Sequence, residues 1–122
     1  MLTFSCSRRL KIQADIVSLP KEPGDYSIVV IPGGATGATT LSGSKDVQAL
    51  LKQFHREGKF VGAICAGSLA IKTAGLVVGG HVTSHPSVEK EFGDYHYSEE
   101  RVVVEDRVVS SRGYDSQIWR LI

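Results

Sequence analysis

Lys59-Phe60-Val61-Gly62-Ala63-Ile64-Cys65-Ala66-Gly67 is the stretch whose reading decides the fold. Phe60 to Ile64 is a short apolar run that reads as a buried strand. The run ends in Cys65, and the small residues Ala66 and Gly67 lead into a helix-forming segment over about 68–74, stopped by Gly75. A side chain at a tight strand-to-helix turn is held above the sheet edge, and small neighbours leave room for that turn. The helix that follows turns its N-terminal N–H groups toward the thiol, and their partial positive charge favours thiolate. A small cysteine that merely packs is the plain alternative. This stretch alone leaves both readings open.

Working outward, the upstream segment Tyr26 to Ile31 is a β-branched strand, apolar enough to be central and parallel. It runs into Pro32-Gly33-Gly34-Ala35-Thr36-Gly37, read as a glycine turn whose backbone can approach a ligand and offer it an N–H. That loop lacks the Gly-Lys-Ser/Thr of a phosphate loop and the spacing of a dinucleotide fingerprint. Ser44 caps a helix to about Arg56, with Val47, Leu50, Leu51 and Phe54 at i, i+3, i+4 and i+7 as its core stripe. Residues 3–17 read as extended structure, a hairpin or edge strands, and Pro20, Pro23 and Gly24 mark a loop. Downstream, His81 to Ser84 is a short strand, and Pro86 opens a helix to about Phe92. Val102 to Val104 and Val108 to Val109 flank a hairpin turn placed at Glu105-Asp106. Residues 114–122 show no clear period.

Strands alternating with helices indicate an α/β fold with a mostly parallel sheet, whose site lies at the carboxyl ends of the strands. Gly33-Gly34, Cys65 and His85 all follow strands, so three segments converge on one place. Cys65 beside His85 makes a thiolate nucleophile next to an imidazole. The amides of Gly34 and Ala66 are the candidate oxyanion donors. His85 also has a plain reading, as a structural histidine before a proline. His81 and His85 are four apart, but on a strand and loop they do not form a helical metal pair, so no metal site is expected. His55 and His96 lie on segments read as surface and solvated.

Composition narrows the classes. The 122 residues make one small domain, 42% hydrophobic and 22% charged, as in ordinary globular proteins. A net charge of +1 argues against specific nucleic-acid binding or an anionic membrane partner. No apolar run approaches the ~18 residues of a membrane span. Two cysteines, Cys6 and Cys65, make no disulfide framework and read as reduced thiols in a cytosolic setting.

Taken together, Ile-Pro-Gly-Gly (31–34), Ala-Ile-Cys-Ala-Gly (63–67), Val-Thr-Ser-His-Pro (82–86), Tyr-Ser-Glu-Glu-Arg-Val (97–102) and Ser-Ser-Arg-Gly (110–113) stand in an order that resembles the ThiJ/PfpI superfamily. Within it the chain is similar to the branch of the parkinsonism-associated deglycase. The resemblance covers about residues 5–113. It implies a flavodoxin-like three-layer sandwich with a mostly parallel sheet, here without the first strand–helix unit and the C-terminal helix. Residues 1–122 are then a single incomplete domain with a divergent tail at 114–122. It also implies a homodimer, with Cys65 as the oxidation-sensitive nucleophile, His85 its neighbour, and Gly34 and Ala66 its oxyanion donors. Arg8 is the residue contributed by the dimer partner, and Cys6 the peripheral thiol.

The implied activities are glutathione-independent glyoxalase, converting methylglyoxal to lactate, and deglycation of protein and nucleotide adducts. No metal or organic cofactor is implied, and the implied location is cytoplasmic, with nucleus and mitochondrion as further sites. Ala66 stands where the protease-like branch carries a histidine, which argues against peptidase activity. The family's acid/base glutamate has no counterpart here, so weakened turnover is expected. The alternative reading is a non-enzymatic redox sensor or chaperone acting through Cys65 oxidation.

Overall fold

Phe60–Ile64 (β4) lies inside a four-stranded sheet, and its neighbours decide what the strand can present. The structure, a computed structural model, describes residues 3–5, 9–16 and 18–113. Ile28–Ile31 (β3) runs parallel to β4 with Val29 opposite Val61 and Ile31 opposite Ala63. Val108–Ser111 (β8) runs parallel on the other side, with Val61 opposite Val108 and Ile64 opposite Ser111. Val102–Glu105 (β7) closes the sheet as an antiparallel hairpin partner of β8. The sheet is therefore mostly parallel, and three of its strands end on the same side.

The turn between β7 and β8 is Asp106-Arg107, both at positive φ (43° and 64°), one residue later than the Glu105-Asp106 expected. Two consecutive left-handed residues make the turn whose twist matches a two-residue hairpin. His55, expected to be solvated, instead meets this turn. Its Nε2 lies 3.0 Å from the Asp106 carbonyl and 3.2 Å from the Asp106 carboxylate.

Helices cover one face of the sheet. Lys45–Arg56 (α2) begins where Ser44 accepts the Val47 amide, and it buries Val47, Leu50, Leu51 and Phe54, the whole predicted stripe. These residues pack with Ile31, Val61, Ala63, Ile71 and Val108 into one core. Leu69–Thr73 (α3) contributes Ala70 and Ile71, and the chain turns away at Gly75, φ +68°. The expected turn at 32–37 is in fact the entry to a further helix, Ala35–Gly43 (α1). Thr36, Gly37, Thr39, Thr40 and Gly43 are poor helix formers, and the segment holds its shape by packing on α3 and the turn before it. Thr39 and Thr40 bond back to the carbonyls of Ala35 and Thr36.

The segments before and after this core are small. Thr3–Ser5 (β1) and Lys11–Gln13 (β2) form an antiparallel pair, within the extended structure expected there. His81–Val82 (β5) is shorter than expected and pairs parallel with His96–Tyr97 (β6), a strand the sequence reading left out. Between them Pro86–Phe92 forms a 3₁₀ helix over the expected residues. No described helix is long and apolar enough to cross a membrane.

The other face of the sheet is apolar and exposed. Alternation puts Ile28 and Val30 of β3, Phe60 and Ile64 of β4, and Val102 and Val104 of β7 on it, with Val104 61% exposed. Within β3 the exposure falls on Ile28 and Val30, while Ile31 is buried in the core.

Candidate active site

Cys65 is the first residue after β4, and its backbone is strained. Ile64 is extended (φ −124°, ψ 138°), then Cys65 takes φ +60° and opens a 3₁₀ turn, Cys65–Ser68, that runs on into α3. A cysteine in the left-handed region costs about 1 kcal/mol or more and persists only where its surroundings enforce it. Three glycines do so. A Cβ on Gly67 would stand 2.4 Å from the Pro32 carbonyl oxygen and 2.9 Å from that of Ile31, so only glycine lets the turn close against the end of β3. A Cβ on Gly33 would lie 2.9 Å from the Cys65 Cβ and 3.6 Å from its Sγ. On Gly113, just past β8, it would lie 2.7 Å from the same Cβ. The cysteine is thus flanked by the carboxyl ends of both neighbouring parallel strands. It is a half-buried free thiol, and among the described residues no side chain hydrogen-bonds it.

His85 joins this cluster through its backbone. Its N–H donates to the Cys65 carbonyl at 3.2 Å. The segment leading to it is pinned from beneath by buried polar groups. The Thr83 N–H donates to Ser110 Oγ at 3.0 Å, and Ser84 meets the Tyr97 hydroxyl at 3.0 Å. The His85 ring turns to its own chain. Nδ1 lies 3.1 Å from the Ser87 amide and 2.8 Å from Ser87 Oγ, capping the 3₁₀ helix. The ring's hydrogen bonds are those of a structural cap, and it is the main chain of His85 that is tied to Cys65.

Gly34 (φ +102°) is the N-cap of α1, and its carbonyl accepts from the Ala38 amide at 2.8 Å. Ala66 is buried within the 3₁₀ turn. Arg8 and Cys6 lie outside the described residues. Gly113 and the polar supports Ser110, Ser84 and Tyr97 were not singled out as site residues from the sequence. A serine on a strand interior, at Ser110, was the available signal for a buried hydrogen bond.

No group of three or more His, Cys, Asp and Glu side chains is placed to hold a metal among the described residues. His81 stacks near His96 (ring centroids 5.4 Å apart) and lies 3.8 Å from the Glu105 carboxylate.

Known proteins are similar to this chain. The chain is 44% identical over 91 residues to the glutathione-independent glyoxalase DJ-1 of Schizosaccharomyces pombe, covering 72% of this chain and 47% of that protein. It is 38% identical over 112 residues to the Parkinson disease protein 7 homolog of Danio rerio, covering 88% and 59% respectively. The crystal structure of Drosophila melanogaster DJ-1beta superposes with a TM-score of 0.84 at 29% identity, over 91% of this chain and 61% of that one. The chain thus spans about half the length of the curated relatives it matches. The sequence matches the DJ-1/PfpI family over residues 2–119, nearly its whole length, and the chain belongs to that family.

Proposed function

We propose that this chain carries the Cys65 nucleophile of a glutathione-independent glyoxalase that converts methylglyoxal to lactate. The observation that carries the reading is the strained cysteine at the carboxyl end of an interior parallel strand, flanked by Gly33 and Gly113. The name of the yeast relative supports the substrate class. The thiolate adds to the aldehyde carbon and the carbonyl oxygen takes a proton, giving a hemithioacetal. A base then removes the proton on that carbon, and the resulting enediol is reprotonated at the neighbouring carbon. The product is a lactoyl thioester, and water releases lactate and regenerates the thiol. The step creates negative charge on oxygen twice, which is where the Gly34 and Ala66 amides serve as donors.

Deglycation of protein and nucleotide adducts uses the same hemithioacetal chemistry and belongs to the same proposal, as does a homodimer in which Arg8 reaches the partner's site. Among the described residues no carboxylate hydrogen-bonds the thiol, so the proton shift is expected to be slow. Trapping tests the reading: hydroxylamine added during turnover intercepts a thioester as lactohydroxamate. The hydroxamate is expected from wild type and absent from Cys65→Ser. Equal amounts from both would refute a covalent role for Cys65.

A further inference from the structure

We propose that Ser87 fixes His85 in the tautomer protonated at Nε2, so that the histidine serves the Cys65 site as a hydrogen-bond donor and not as a general base. The proposal rests on the glyoxalase reading for its catalytic half, and on hydrogen bonding alone for its structural half. The argument begins with the Ser87 amide, which can only donate, and it points at His85 Nδ1 from 3.1 Å. Nδ1 must then be the lone-pair nitrogen, and the proton of the neutral ring sits on Nε2. Ser87 Oγ, 2.8 Å from the same atom, can add its own O–H to that lone pair.

Either way of using the ring as a base conflicts with this arrangement. Proton uptake at Nδ1 displaces the Ser87 amide. Uptake at Nε2 requires a ring that starts with its proton on Nδ1, which sets one N–H against another and uncaps the 3₁₀ helix. What the ring offers a group formed at Cys65 is therefore an N–H, suited to an oxygen that gains negative charge. The His85 main chain is already tied to the Cys65 carbonyl at 3.2 Å, which holds the residue against the turn that carries the nucleophile. Ser87 acts through His85 and is a positioning residue.

Nitrogen-15 NMR of the labelled chain tests the structural half directly. In the neutral ring an unprotonated Nδ1, coupled across the hydrogen bond to the Ser87 amide, is expected. A protonated Nδ1 would overturn the proposal whatever the activity. Two variants test the catalytic half, read as lactate formation and as the rate of Cys65 alkylation by iodoacetamide, located by mass spectrometry. His85→Gln keeps a side-chain N–H donor at the reach of Nε2, and His85→Asn keeps an acceptor at the reach of Nδ1. His85→Asn is expected to keep the melting temperature and to lose about tenfold or more in rate, the worth of one hydrogen bond to developing charge. His85→Gln is expected to lose only a few-fold, with the shape of the pH profile retained. Equal losses in both, with the alkaline rise of the profile abolished, would mean an imidazole base and would overturn the donor role. If wild type forms no lactate, the glyoxalase reading fails, while the tautomer and the alkylation rates still decide this proposal.

Discussion

Cys65 at φ +60° is the point where local chemistry and global fold meet, because nothing in a cysteine favours that conformation. Its neighbours impose it by having no side chains. Gly113 illustrates the demand twice over: its own φ is +75°, and an added Cβ would meet Cys65 Cβ at 2.7 Å. Gly113→Ala is therefore expected to cost about 1–3 kcal/mol in urea denaturation. It is also expected to slow alkylation of Cys65, since the side chain must shift. Unchanged stability and unchanged alkylation would show that the two residues do not constrain each other. Cys65, Ala66 and Gly67 were legible in the sequence because small residues after an apolar run have few other uses. Gly113 was not, because its role depends on β8 lying next to β4, a pairing that no local pattern encodes.

Among the elements, α2 was fully legible and α1 was not, for one physical reason. The stripe of Val47, Leu50, Leu51 and Phe54 repeats at the helical period, and each of the four is buried. Over Ala35–Gly43 only Ala38 and Ser42 are buried, and five of the other seven residues are threonine or glycine, so tertiary packing and not periodicity decides the helix. In the β5–β6 pair, strand β6 was equally hidden, since a two-residue strand carries no alternation to read.

The loop closing that pair holds a buried tyrosine, and with it a prediction for pH. Tyr95 donates to the Leu76 carbonyl at 2.7 Å, and burial pushes its phenol above the ordinary tyrosine range, with the Asp94 carboxylate adding to the shift. The folded state then favours the neutral phenol more than the unfolded state does. That contribution is complete below the unfolded value near pH ~10 and is lost as pH rises through the folded value. Thermal melts are expected to fall above about pH 10, and to fall less in Tyr95→Phe, which itself loses about 1 kcal/mol with the hydrogen bond at neutral pH. Parallel alkaline declines in the two proteins would exclude Tyr95 as the cause.

At the scale of the whole molecule, the sheet is asymmetric: helices bury Val61, Ala63 and Val108, while Ile28, Val30, Phe60, Ile64, Val102 and Val104 share an exposed face. Parallel sheets are ordinarily covered on both faces, and an apolar face of this extent drives association. Sedimentation of the 122-residue chain is expected to show a mass that rises with concentration, and Val104→Lys, at the middle of β7, is expected to reduce it. A concentration-independent mass in both proteins would show that this face is not sticky in solution. The α/β class and the convergence of strand ends were legible because parallel strands separated by helices have few topologies open to them. That convergence is what makes a half-buried thiol into a candidate nucleophile. Lactate formation from methylglyoxal, followed by proton NMR for wild type and Cys65→Ser side by side, tests that claim most directly. The account predicts lactate from wild type alone; lactate from both at the same rate would contradict it.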